Sequence, residues 1–243
     1  MVATIAAVSA CAANTVSGLS GPISSSDHSE SPTGDQQPDA LHQVAAVEPV
    51  IFVSIDDGHH PSQEALEVVR EHQMPVSLFL NEDPMKYHSS YFEEYTAMGI
   101  HVRTHTQTHA DLTQHRFDDQ QQEICGMVET LEDRFSDDVV GSSLRAPYGA
   151  SDETTQEAAS TSGIGSIPHW SGEANNGTVT LAHGESCRPG DITLTHFTQT
   201  LPEDLQAIQD KGRRRIHHRP FHSLSSSSRG PRLVEGPGLD HRE

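Results

Sequence analysis

From residue 49 to residue 211, short apolar runs alternate with amphipathic stretches. Residues 49–55, apolar but for Ser54, form a run of the kind a strand covered on both faces requires, and it ends abruptly at Asp56-Asp57-Gly58. Residues 62–73 place Ala65, Leu66 and Val69 on one helical face, and residues 75–80 read as a second strand. Residues 91–98 read as a helix halted by Gly99, a residue that tolerates the left-handed conformation after a helix end. A third strand over 100–104 leads into His105. Phe117, Ile124, Val128, Leu131 and Phe135 form the clearest helical stripe, with spacings of seven, four, three and four. Residues 142–144 are a short strand running into Arg145, and Asp152 is a suitable N-cap for a helix that stops at Gly163. Strand signals follow at 164–167, 178–181 and 191–195, and a last helix over 202–211 ends at Gly212. Apolar strands alternating with helices predict a parallel α/β fold, with an open doubly wound sheet and a closed barrel both compatible with the pattern.

The flanks differ. Residues 1–11 are small and apolar, too short to span a bilayer and without a basic start, yet Val8-Ser9-Ala10-Cys11 resembles a bacterial lipobox. The expectation is a partial lipoprotein signal whose true start lies upstream, with Cys11 as the lipid acceptor. Residues 12–46 are rich in Ser, Gly, Pro, Asp and Gln and read as a flexible tether before a domain spanning 47–212. Residues 213–243 are basic and low in complexity, and neither strand nor helix is predicted there. The expected location is therefore secreted, or lipid-anchored on the outer face of the bacterial cytoplasmic membrane. In that oxidising setting Cys125 and Cys187 are left as a possible disulfide pair. The 35 acidic residues outnumber the 15 Lys and Arg to give a formal charge of −20, which argues against nucleic acid or anionic lipid as a partner. A monomer is expected.

The polar residues that end the predicted strands carry the chemistry. Asp56 and Asp57, His105 and His109, Arg145, and His196 all stand at carboxyl ends, which converge on one face in a parallel α/β architecture. Two His at i and i+4 would share a helical face and suit a metal, but with 17 His the spacing recurs at His101/His105 and His218/His222 and decides nothing alone. Position favours His105 and His109, because both follow a strand end. No Glu follows His105, which excludes the HExxH protease pattern. Two imidazoles and one carboxylate would leave metal positions open for water and substrate. The second Asp would then be free to act as a general base, held ionised by a nearby Arg.

Together these segments resemble the NodB-type polysaccharide deacetylases, carbohydrate esterase family four. Ser54-Ile55-Asp56-Asp57-Gly58 is similar to that family's TFDDG motif, His105-Thr106-Gln107-Thr108-His109 to its H-[ST]-x-x-H, Arg145-Ala146-Pro147-Tyr148-Gly149 to RxPYG, and Leu194-Thr195-His196 to LxH. The resemblance covers residues 50–212. It implies a distorted (β/α) barrel with fewer than eight strands and removal of acetyl groups from an N-acetylated polysaccharide, peptidoglycan or chitin-like. It also implies a divalent metal, zinc or an ion such as cobalt, on Asp57, His105 and His109. Asp56 would be the base, His196 the acid on the leaving nitrogen, and Arg145 the residue positioning Asp56. The Tyr148 N–H would stabilise the oxyanion, with Leu194 and Trp170 walling an acetyl pocket.

Three departures stand out. Ser54 and Ile55 replace Thr and Phe. The Asp that tunes the acid histidine is missing, leaving Glu173 and Asp191 as substitutes. No strand is predicted after the last helix to complete the barrel. An acetyl-xylan esterase and a catalytically decayed carbohydrate-binding protein are the alternative readings.

Overall fold

The alternating pattern builds a sheet curled around a polar interior. The computed structural model describes residue 11, residues 40–46, 50–213 and 217–218. Its strands are β1 (Ala40–Leu41), β2 (Val50–Asp57), β3 (Val76–Leu80), β4 (His101–Thr104) and β5 (Val140–Leu144). They continue with β6 (Ile167–Pro168), β7 (Gly172–Asn175), β8 (Thr178–Leu181), β9 (Ile192–His196) and β10 (His217–His218). The helices are α1 (Gln63–His72), α2 (Glu82–Thr96), α3 (Phe117–Glu132), α4 (Glu153–Thr161) and α5 (Leu201–Arg213). Seven strands lie side by side in the order β5-β4-β3-β2-β9-β7-β8, all parallel except the β7–β8 hairpin.

Successive strand residues face opposite sides. On β2, Ile51, Val53 and Ile55 join the core with Leu66 and Val69 of α1, Phe92 of α2, Met127 of α3 and Leu205 of α5. The intervening Phe52, Ser54 and Asp56 are also buried, and they point the other way, into the barrel. Phe52 and Ile192 close its lower part together with Val44.

The barrel closes through a segment expected to be tether. Residues 40–46 belong to the fold: β1 pairs in parallel with β6, the His169 N–H donates to Leu41 O at 2.7 Å, and the Val44 N–H donates to Gly190 O at 2.8 Å. This strap spans from β6 to the foot of β9. A Cβ on Gly190 would sit 1.8 Å from the Val44 carbonyl oxygen, so the crossing requires glycine. The fold therefore begins before residue 47, in a short extended stretch with too few apolar residues to announce itself in the pattern.

The tail differs from expectation as well. α5 runs through Gly212 to Arg213, and β10 pairs in parallel with Val50 and Ile51, so a short strand does follow the last helix. The rest of the tail, 214–216 and 219–243, lies outside the described residues, as do 1–10 and 12–39 of the expected signal and tether. α2 begins at Glu82, well before the predicted 91, and β7 was not foreseen.

The cysteine assignments change too. Cys11 is bonded to Cys125, and Cys187 is the free thiol. A sulfur engaged in a disulfide has no valence left for a thioether, so Cys11 is not a lipid acceptor in this structure, and the Cys125–Cys187 pair does not form. Among the described residues no helix is long and apolar enough to cross a membrane.

Candidate active site

Parallel register gathers the chemistry at the carboxyl ends of the strands. Asp56 and His196 are direct partners across β2 and β9, and His105 follows β4 on the next-but-one strand. All nine residues expected at the site line one open cleft of about 270 Å³, joined by Ala146, Gly149 and Glu173. A larger cavity of about 390 Å³ is walled by Val69, Met74, Met98 and Ile100, with Arg70 its one ionisable residue. It offers no convergent set of reactive groups.

The two imidazoles and one carboxylate converge. His105 Nε2 lies 3.4 Å and His109 Nε2 3.5 Å from the same Asp57 oxygen, and the candidate ligand atoms all lie within 4.8 Å of one another. His105 Nδ1 is 2.7 Å from Arg145 O. A carbonyl only accepts, so Nδ1 carries the proton and the Nε2 lone pair faces Asp57. His109 Nδ1 stands 3.2 Å from the Tyr148 hydroxyl, a partner that holds the second ring with its Nε2 towards Asp57. Two imidazole nitrogens and one carboxylate, converging on one point, fit a zinc-type ion and leave part of its coordination shell open.

The expectation of a shared helical face is wrong: His105 to His109 is a loop. Thr106 (φ 65°) and His109 (φ 60°) are left-handed, as are Asp57 (φ 78°) and Tyr148 (φ 60°). Such backbone in non-glycine residues costs on the order of 1–3 kcal/mol each and persists where the surroundings hold it. Asn81 donates to His105 O at 2.6 Å and Thr106 O at 3.0 Å, while the Glu123 carboxylate accepts from the Thr108 N–H and hydroxyl, both at 2.8 Å. Sequence reading missed both residues, since neither belongs to a motif.

Asp56 is held separately. It is 2% exposed; its Oδ2 lies 3.7 Å from Arg145 Nη1, and its Oδ1 takes no hydrogen bond from the described residues. The Arg145 guanidinium is clamped between the rings of Phe79, at 5.1 Å, and Trp170, at 5.3 Å. Its Nη2 donates to Ser54 Oγ at 3.0 Å. Ser54, noted from sequence only as a departure from the family motif, therefore supplies the hydroxyl that anchors the arginine. Trp170 lies against Gly149, where a Cβ would come within 2.9 Å of its ring.

Burial would by itself push the Asp57 carboxyl up, but the close approach of His105, with His196 and His109 beyond it, outweighs burial and holds the group below its ordinary value. Burial and the neighbouring His105 push the His109 imidazole down against the pull of Asp57 and Asp56. Both shifts favour the forms that bind a cation. Burial lowers Arg145 as well, with Asp56 opposing.

Of the two substitutes for the missing tuning Asp, Asp191 is excluded. It stands at the opposite end of β9, where it accepts from Ser171, His183, the Arg188 N–H and Gln43. Glu173 does line the cleft; it pairs in register with Leu194, two residues before His196.

The chain is similar to known proteins in sequence and in fold. A family profile described as polysaccharide deacetylase matches residues 43–167. An uncharacterised protein of Streptomyces coelicolor is 28% identical over 191 residues, covering 74% of this chain and 76% of its own length. A chitooligosaccharide deacetylase of Rhizobium leguminosarum bv. phaseoli is 28% identical over 187 residues, covering 73% and 79%. Among solved structures, a family 4 carbohydrate esterase of Bacillus subtilis superposes with a TM-score of 0.65 at 20% identity, covering 76% of this chain and 84% of that one. A family 4 pseudoenzyme of Bacillus anthracis superposes with a TM-score of 0.66 at 15% identity, covering 78% and 70%. These superpositions bear on the barrel alone, whereas the profile spans more than half of the sequence, from the strap to β6: the chain belongs to the polysaccharide deacetylase family.

Proposed function

We propose that this deacetylase hydrolyses acetyl amides on an N-acetylated polysaccharide, peptidoglycan or chitin-like, with a divalent ion held by Asp57, His105 and His109. One observation carries the reading: a buried carboxylate, Asp56, stands beside the three ligand atoms but is tied to Arg145. A carboxylate spent on a metal cannot also accept a proton, so two acids in two environments divide the roles. Zinc is the first candidate and cobalt also suits the donor set. When bound, the ion lowers the pKa of water and polarises the acetyl carbonyl.

The chain's own groups do the rest. Asp56 Oδ1 takes a proton from the attacking water as its oxygen bonds to the carbonyl carbon. The carbonyl electron pair moves onto oxygen, where the Tyr148 N–H would meet it; the lining of the cleft by Tyr148 in left-handed backbone supports that role. Protonated His196 gives its proton to the sugar nitrogen as the carbon–nitrogen bond breaks, releasing acetate and a free amine. Leu194 and Trp170 wall the acetyl methyl. The Cys11–Cys125 disulfide supports an oxidising, extracytoplasmic location. The naming of the rhizobial relatives supports a chitin-type substrate.

A specific observation favours a second reading. Among the described residues no carboxylate is ion-paired with His196. An ester's alcohol leaving group needs protonation less than an amine does, so acetyl-xylan esterase activity would survive where amide hydrolysis fades. At the limit the chain would bind glycan without turnover. Acetate release from N-acetylchitooligosaccharides, peptidoglycan and acetylated xylan, with zinc, cobalt or chelator, separates these. The expected result is metal-restored release from the amide polymers. Release from xylan alone points to the esterase, and glycan binding without any release to the decayed protein.

A further inference from the structure

Resting on that reading of the metal centre, we propose that α3 is a positioning element for the second metal ligand: Glu123 and Gly126 hold the His105–His109 loop in its ligating shape before any ion arrives. The loop is costly to form, because Thr106 and His109 are both left-handed. Within the pentapeptide the described contact is edge to face, His105 against His109 at 4.8 Å, and the Thr106 N–H bonds back to Thr104 Oγ1 on the preceding strand; neither fixes the backbone of 107–109.

The fixing contacts come from outside. Three successive features of the loop meet one turn of α3. The Gln107 N–H donates to Glu123 O at 2.9 Å. Thr108 places its N–H and hydroxyl on the two different oxygens of the Glu123 carboxylate, each at 2.8 Å. The Gln107 side chain lies over Gly126, where a Cβ would fall 2.6 Å from its Oε1. At the other end Asn81 spends both amide hydrogens on His105 O and Thr106 O. Charge-assisted bonds to a carboxylate are about twice as strong as neutral ones, so the Glu123 pair is the firmer of the two clamps. It acts on the residue directly before His109. Releasing it would let His109 leave its place 3.5 Å from Asp57 while His105, pinned by Arg145 O, stays.

Glu123→Ala and Glu123→Gln test this, with Asn81→Ala as a second clamp variant. Zinc affinity is measured by chelator competition, and backbone amide exchange of residues 105–109 is measured in metal-free protein. Glu123→Ala is expected to weaken zinc about tenfold, to speed exchange at Thr108 and His109, and to leave the melting temperature of metal-free protein nearly unchanged. Glu123→Gln keeps one of the two acceptor oxygens without the charge and should recover part of both losses. Unchanged zinc affinity together with unchanged exchange in Glu123→Ala overturns the proposal, as does a loss not recovered by Gln. If the wild type binds no zinc, the metal reading fails, and the exchange measurement still decides whether Glu123 shapes the loop.

Discussion

Asp56 and Asp57 are adjacent in sequence yet live in different environments. The strand's alternation sends Asp56 inward to Arg145, while left-handed backbone turns Asp57 towards the two imidazoles. Arg145 does more than carry charge, because its plane is gripped by two aromatic rings and its fork reaches Ser54. Arg145→Lys keeps the charge and loses the plane, so kcat should fall about tenfold or more with zinc affinity unchanged. Steady-state kinetics beside a zinc titration check it; equal kcat would show that charge alone suffices. The site residues were legible because each stands in a motif at a strand end. Ser54 was legible only as a departure, its hydroxyl partner lying 91 residues away, and Asn81 and Glu123 were not legible, since their partners are fixed by the fold rather than by local pattern.

At the scale of elements, periodicity gave the helices and parallel strands well and the edges poorly. β7 reads Gly-Glu-Ala-Asn, with little strand propensity, and is stabilised by pairing between β8 and β9 rather than by its own residues. The strap over 40–46 was similarly hidden, and it closes the gap between β6 and β9. Gly190→Ala would drive a Cβ into the Val44 carbonyl at a positive φ of 87°, so the strap must shift. We expect a loss of about 2–3 kcal/mol, read as a melting temperature lower by several degrees and faster proteolysis within 40–46. Unaltered stability and protection would mean the strap is not fastened there. His169 shares this region with His42, and burial, with His42 and Arg145 adding, pushes its imidazole down to about 4. The unfolded chain takes up this proton near 6.5, so it binds more protons than the native state between those values, and stability falls as pH drops from 6.5 towards 4. His169→Gln should flatten that decline in melting temperature; an identical slope would contradict it.

For the whole molecule, the topology places every reactive group at one end of the sheet and leaves the helices to cover the outside. The disulfide from Cys11 to Cys125 spans 114 residues, so its loss should cost about 4–5 kcal/mol, chiefly by freeing the unfolded chain. Cys125→Ser is expected to lower the melting temperature on the order of 10 °C without changing zinc affinity. This cross-link was illegible because sequence gives no distance between cysteines. The division of labour between the two acids is tested most directly by measuring bound zinc and acetate release together for Asp56→Asn and Asp57→Ala. Asp56→Asn should retain zinc while acetate release falls at least about 100-fold, and Asp57→Ala should lose the zinc itself. Full turnover by Asp56→Asn, or wild-type zinc binding by Asp57→Ala, would contradict it.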